Sequence, residues 1–306
     1  MNQDRAAITV SGPERNIRIG ILFVLTTSVM FALLDTGVKY VGQFYPVLQI
    51  AWARYVFQMA MVPLVIGRTR PRDILRTRRP GLQVTRSLLM VGATLSFFTA
   101  VNYMPVAEAS AIGMIAPLMV TALATPMLGE RVGPRRWMAV VIGLIGALII
   151  IRPGFGSLSW AAILPVITAI CYALYQITTR MLAEIDPPIT TFFYSGAVGV
   201  VVLSLAVPFA WRTPTVSGWA MMIALGLIAG VGHYCVIQAM RRAPASVLAP
   251  VSFVQLVWVV ILGYLVFGDF PDKFTFLGAA IVVGSSGYVF YRENVVKRAA
   301  KTKERS

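Results

Sequence analysis

Ten apolar stretches alternate with short polar breaks along this chain. They run over 18–41, 47–67, 84–104, 106–128, 137–152, 159–181, 189–211, 218–240, 245–267 and 274–292. An α-helix needs about 20 apolar residues to cross the hydrocarbon core, and in lipid it satisfies its own backbone hydrogen bonds. The pattern therefore predicts ten transmembrane helices and an all-α polytopic membrane protein. The fifth stretch is short, so it either extends into "RPG" or stands nearly upright. The first stretch is too long for a signal-peptide core and has no convincing small-residue cleavage site, so it is read as a retained span.

The polar breaks set the orientation. With the N-terminus inside, the cytoplasmic segments contain "RTRPRDILRTRRP", "GERVGPRR", the arginines 241–242 and "KRAAKTKERS". The opposite loops, "GQFYP", "MPV", "PGFGSLS", "RTPTVSG" and "GDFPDK", are nearly free of basic residues. Lysine and arginine collect on the cytoplasmic side of membrane proteins, so both termini are expected to be cytoplasmic.

A shift of 141 residues superimposes the two halves. Phe31–Leu34 meets Tyr172–Tyr175, Asp35 meets Gln176, Lys39 meets Arg180 and Pro46 meets Pro187. With a two-residue gap, Pro105 meets Pro244 and Gly129-Glu130 meets Gly268-Asp269; Gly143 and Gly146 then meet Gly284 and Gly287 at the original shift. Five spans per repeat is an odd number, so the second copy enters from the opposite side. The expected architecture is two inverted five-helix repeats, over 18–152 and 159–292. A cytoplasmic tail (1–17), a connecting loop (153–158) and a basic cytoplasmic tail (293–306) complete the chain. Repeats of this kind place a site near the bilayer midplane, between the copies.

Composition narrows the class. The chain is 58% hydrophobic and 13% charged, about half the charged fraction of a soluble domain. The net charge of +15 sits in loops and tails rather than on a folded basic face with interleaved aromatics, which argues against nucleic acid as a partner. Cys171 and Cys235 both lie in apolar stretches and suggest neither a disulfide framework nor a metal site. There is no phosphate-cradling Gly-Lys-Ser/Thr loop and no nucleophile–base motif. No catalytic residue, metal or cofactor is expected. The expected partners are the lipid bilayer and a small-molecule substrate, with a homodimer left open.

Candidate chemistry lies in the few polar residues inside spans, where an ionisable group marks a cavity or a partner. Asp35 is deep in the first span. One reading is a local ion pair with Lys39, four residues on, which snorkels toward the outer interface; the other places Asp35 in a central cavity as a substrate-amine or proton site, and the two are compatible. Arg54, roughly 12 Å below the outer end of the second span, either pairs with Asp35 or Glu108 or receives an anionic substrate group. His233 reads as a packing histidine or a proton relay. Arg86 and Glu130 are read as loop anchors at cytoplasmic edges. The small-residue openings "AEASAIG" and "APAS", each followed by a proline (Pro117, Pro250), suit mobile helices or close packing. The glycines of "GLIGA" and "GSSG" read as packing faces.

The runs "GERVGPRRWMAVVIGLIGALIIIRPG", "RSLLMVGATLSFFTAVNYMPVAEASAIGMIAPLM" and "APASVLAPVSFVQLVWVVILGYLVFGDFPD" resemble the EamA-type branch of the drug/metabolite transporter superfamily. The resemblance covers about 20–292. Within the branch, "LLDTGVKY" and "FGDFPDKFTFLGAAIVVGSSGYVFYRE" look similar to riboflavin or S-adenosylmethionine transporters, with amino-acid exporters also close. It implies a secondary transporter of a small organic metabolite in a bacterial inner membrane, its two halves rocking about a central cavity. It also implies that the spans bearing Tyr103, Tyr172, Tyr175, Gln176, Tyr234, Gln238, Gln255, Trp258 and Tyr264 contribute to that cavity. The rival class is an integral-membrane enzyme acting on a lipid-linked substrate. That class would cluster its polar residues at one membrane face, whereas here they are spread through the span depth.

Overall fold

A computed structural model describes residues 13–63, 74–128, 134–151, 160–182, 185–242, 251–285 and 287–288. Every regular element among them is helical. In chain order they are α1 (Pro13–Val41), α2 (Val47–Met59), α3 (Pro80–Tyr103), α4 (Val106–Gly113), α5 (Ala116–Leu128) and α6 (Pro134–Ile151). Then come a 3-10 turn at Trp160–Ala162, α7 (Ile163–Leu182), α8 (Pro188–Ala206), α9 (Val216–Arg242), α10 (Val254–Phe267) and α11 (Lys273–Ser285).

Five of these helical stretches, over 17–41, 80–103, 160–179, 189–210 and 216–236, are long and apolar enough to cross a bilayer. Four more apolar helices, Val106–Val120, Trp137–Ile151, Val254–Phe267 and Lys273–Ser285, are shorter. Pro80 and Pro188 stand in the first turns of α3 and α8, where a missing N–H costs nothing and the fixed φ suits the helix. The fourth predicted span is broken into α4 and α5. Pro117, at the start of α5, cannot donate to the carbonyl four residues back, and the backbone turns at Met114 and Ile115 instead. Glu130, Pro244 and Pro250 lie outside the described residues.

The helices pack by a rule that exchanging the two halves leaves intact. The most extensive pairing is α1 on α9, the first span of one repeat on the third of the other; α3 on α7 is its mate. Likewise α2 on α9 matches α8 on α3, and α1 on α10 matches α7 on α4 and α5. The α2–α8 and α4–α10 contacts are their own mates. Corresponding helices run in opposite directions: α1 and α3 end side by side at Gly42 and Asn102, where Lys39 near the end of α1 meets the loop that ends α10 and Tyr103 at the end of α3 packs at a tilt against Trp160, where the α7 segment begins.

The main core lies where both halves meet, with Leu34, Val38, Ile50, Tyr55, Phe98, Leu203, Met222, Leu225 and Val259 among its buried members. Val141, Ile142, Ile145 and Leu148 leave one side of α6 apolar and exposed, as a lipid-facing surface requires. The glycine expectation holds for one repeat and fails for the other. A Cβ at Gly143 would overlap Leu118 and Ser285, and one at Gly146 would come within 2.9 Å of the Gly278 carbonyl. Around Gly284 and Gly287 there is open space instead.

Candidate functional site

The site is built from α1, α2, α3, α9 and α10. Asp35 is 6% exposed on α1, and Gln255 of α10 donates to its Oδ2 at 3.2 Å. Lys39 does not pair with it. One turn further on, Lys39 Nζ reaches Asp269 Oδ2 at 2.5 Å and lies 4.6 Å from the Phe267 ring. Lys39 thus anchors the end of α1 to the turn after α10. The turn itself is set by Gly268, whose φ of 71° caps α10 in the left-handed region. Asp35 is left with a neutral partner, and the Arg54 guanidinium is within electrostatic reach.

Arg54, 3% exposed on α2, spans two neighbours. Its Nη1 donates to Thr94 Oγ1 of α3 at 3.0 Å, and its Nη2 lies 2.7 Å from His233 Nε2 of α9. A guanidinium only donates, so His233 Nε2 accepts and the imidazole proton sits on Nδ1. The ring packs edge-on against Phe31, at 5.1 Å between centroids. Tyr55 and Phe98 face the guanidinium at 4.7 and 5.8 Å. Arg54 Nε has no partner among the described residues, so this buried cation holds donor capacity in reserve. Arg54 does not form the ion pair with Asp35 or Glu108 that the sequence allowed. Glu108 is half-buried in the first turn of α4, a favourable place for a carboxylate beside the helix dipole.

A second arginine, read from sequence as a loop anchor, is a buried hub. Arg86 of α3 donates from Nε to Thr179 Oγ1 at 2.6 Å, and from Nη1 to the Thr191 carbonyl at 3.1 Å and to Ser195 Oγ at 2.8 Å. Its Nη2 donates to Tyr175 Oη at 2.7 Å. It joins α3 to α7 and α8 through neutral groups alone.

Next to it, Asp186 takes hydrogen bonds from Thr77 Oγ1 at 2.5 Å, Gln83 Nε2 at 2.8 Å and the Arg78 backbone N–H at 3.3 Å. Burial by itself raises the Asp186 pKa. The three donors and the Arg78 charge outweigh burial and hold it below the ordinary carboxylate value. Asp186 stands where Tyr45 stands in the first repeat. Tyr45 Oη is 3.2 Å from Thr215 Oγ1 and accepts from the Thr215 N–H at 3.1 Å. Beside it, Gln49 and Arg212 exchange two side-chain-to-backbone hydrogen bonds, at 2.8 and 3.0 Å. In each repeat, then, the turn between the first two helices grips the segment entering the third helix of the other repeat.

The remaining candidates are dispersed. Tyr172 stacks on Tyr175 at 5.6 Å, and Gln176 is half-buried one turn on. Gln238 accepts from Arg242 through its backbone carbonyl and its side-chain oxygen, so it is occupied locally. Tyr234 is half-buried, whereas Trp258, Tyr264 and Tyr103 are exposed, Tyr103 at 61%. Thr94, Tyr55 and Asp186 were not singled out in the sequence. Thr94 and Tyr55 are single polar atoms in apolar runs and carry no local signal. Asp186 does carry one: it precedes "PP" where Tyr45 precedes Pro46.

Two antiparallel copies of one helical unit, of membrane-spanning character and with charged side chains buried where they meet, have the build of a membrane transporter. The family model for EamA-like transporters matches the chain twice, over residues 18–152 and 159–291. The chain belongs to the EamA-like transporter family. It is similar to an S-adenosylmethionine uptake transporter of Rickettsia bellii, 28% identical over 276 residues that cover 90% of this chain and 94% of that one. A riboflavin transporter of Rhizobium johnstonii is 28% identical over 304 residues, 98% of each chain. The pseudopaline exporter CntI of Pseudomonas aeruginosa is 25% identical over 87% of this chain and 94% of its own. A solved crystal structure shares the fold, with a TM-score of 0.63 and 19% identity over 87% of this chain and 94% of that one.

Proposed function

We propose that this protein is a secondary transporter. It carries a small organic metabolite, an amino acid, vitamin or nucleotide-like compound, across the bacterial inner membrane by alternating access through a central cavity between the repeats. The observation that carries this reading is the separated pair Asp35 and Arg54. Two ionisable side chains, one acidic and one basic, are buried at the junction of the halves, and each is held by a neutral partner rather than by the other. Desolvated charges left apart are costly. A substrate that brings complementary groups relieves that cost while it is bound, which gives it affinity at the centre of the path. Asp35 suits a cationic or hydrogen-bond-donating group, and the spare donors of Arg54 suit an anionic or carbonyl oxygen. The named relatives, transporters of S-adenosylmethionine and riboflavin, support a metabolite of this size.

The test is uptake by the purified protein in proteoliposomes, with labelled S-adenosylmethionine, riboflavin and a panel of amino acids as probes. Saturable flux of one probe above protein-free vesicles is expected. Asp35→Asn should abolish that flux while the protein stays monodisperse with an unchanged melting temperature. Unchanged flux in Asp35→Asn defeats the assigned site. Product formation without flux in any vesicle defeats the transporter reading in favour of an enzyme.

A further inference from the structure

The alternating-access reading leaves open which parts of the molecule move against each other. We infer that the moving bodies are not the two sequence halves but two lobes that exchange helices: α1, α2, α9 and α10 in one, and α3, α4, α5, α7 and α8 in the other. The inference rests on that reading and adds the identity of the rigid units.

The packing carries it. The four most extensive interfaces, α1 on α9, α3 on α7, α2 on α9 and α1 on α10, fall inside a lobe and join different sequence halves, whereas α2 on α8, no larger than α5 on α7, crosses between the lobes. Within one half, α1 and α2 touch α3 only sparingly. Close approach is tight inside the first lobe, and it also occurs where α8 crosses α2 between the lobes, a Cβ at Gly199 coming within 2.4 Å of Tyr55. A Cβ at Gly37 of α1 would come within 2.6 Å of Leu225 on α9, and one at Gly226 of α9 within 2.4 Å of Phe57 on α2. Such contact leaves little room for sliding.

The polar ties agree. In the first lobe Gln255 holds Asp35, Lys39 holds Asp269, His233 holds Arg54, and Tyr45 and Gln49 hold the entry to α9. In the second, Arg86 binds α7 and α8, and Asp186 binds Thr77 and Gln83. Both turn grips described above are therefore staples within a lobe, not gates between lobes. Between lobes the ties among the described residues converge on two hydroxyls. Arg54 and Tyr55 both reach Thr94, and Trp52 Nε1 reaches Ser204 at 2.9 Å. A boundary with so few polar ties is where a packed protein can move between two discrete arrangements.

Two pairs of exposed positions separate the alternatives. Tyr40 and Val216 belong to one lobe but to different halves, whereas Tyr40 and Tyr103 belong to one half but to different lobes. Each pair is replaced by cysteine in a Cys171→Ser, Cys235→Ser background, spin-labelled and reconstituted in liposomes. Distances are then measured with and without S-adenosylmethionine and riboflavin. The Tyr40/Val216 distance is expected to be narrow in every condition, and the Tyr40/Tyr103 distance to be broad, two-peaked or shifted by a probe. The reverse pattern, or two narrow and unmoved distributions, overturns the lobes. This measurement does not require that any probe cross the membrane, so it stands apart from the transport test. Where flux is measurable, a disulfide in Gly37→Cys/Leu225→Cys should leave it intact. One in Gly42→Cys/Asn102→Cys should stop it until reductant is added; the opposite result overturns the assignment.

Discussion

Thr94 has one hydroxyl proton and two lone pairs, and all three are committed. The proton goes to the Met90 carbonyl at 2.9 Å, so the lone pairs take Arg54 Nη1 and the Tyr55 hydroxyl. Thr94→Val keeps the shape and removes both acceptors. It should lower stability by about 1–3 kcal/mol, the cost of leaving buried donors unpaired, read as a drop in melting temperature in detergent; Thr94→Ser should recover most of it. His233 gives a companion case. Gln keeps an acceptor for Arg54 and Leu does not, so His233→Gln is expected to melt near the parent and His233→Leu well below it. If transport used His233 as a proton relay, His233→Gln would lose flux without losing stability; on the hydrogen-bonding evidence the flux should persist. Asp186 supplies the pH dependence. Its folded pKa is below its unfolded value, so its contribution to stability is complete above the unfolded value and is lost as pH falls through the folded one. The groups facing it are Thr77, Gln83, the Arg78 backbone and the Arg78 charge. Acid melting curves should flatten in Asp186→Asn, and an unchanged acid slope would contradict the assignment.

Among the elements, α6 and α11 show how closely two helices approach when neither carries a side chain at the crossing. A Cβ at Gly278 would lie 2.5 Å from the Gly146 carbonyl and as near to Ile150. Backbone cannot yield as a flexible side chain does, so Gly278→Val should force the helices apart. The expected cost is about 1–3 kcal/mol, as for other overpacked cores. Gly284→Ala, with open space around it, should melt like the parent. The sequence pairs Gly143 with Gly284 and Gly146 with Gly287, yet only the first-repeat members pack. A glycine records that a close approach is permitted; the partner surface decides whether one occurs. The break between α4 and α5 was more legible, because Pro117 removes a specific hydrogen bond wherever it is placed.

At the scale of the whole molecule, the charge pattern of the loops predicts that both termini lie on the cytoplasmic side. Protease or membrane-impermeant labelling of tags at either end of the chain, in intact cells, should leave both unreacted; labelling of one end alone would contradict an even number of spans. The exchanged lobes also predict how stability is distributed. Cutting the chain between the repeats, within 153–158, should leave two fragments that co-purify, because the extensive interfaces run between halves. A pair of self-contained five-helix units would instead separate.

The sequence by itself indicated the helical elements and their twofold repetition. Each of these depends on local quantities: a run of about 20 apolar residues, a proline without a donor, a lysine or arginine that stays on one side. It also singled out Asp35, Arg54 and His233, since a polar group in an apolar run is conspicuous wherever it points. Only the tertiary structure decided what those groups meet. Lys39 finds Asp269 rather than Asp35, and Arg86 proves to be an interior hub rather than a loop anchor. The halves read as units in sequence are interleaved in space. The physical reason is that helix faces in an apolar chain are nearly equivalent by composition. Which face meets which is settled by glycine-scale fit and by a few hydrogen bonds between residues 39 to 230 positions apart, and neither is visible to any local pattern.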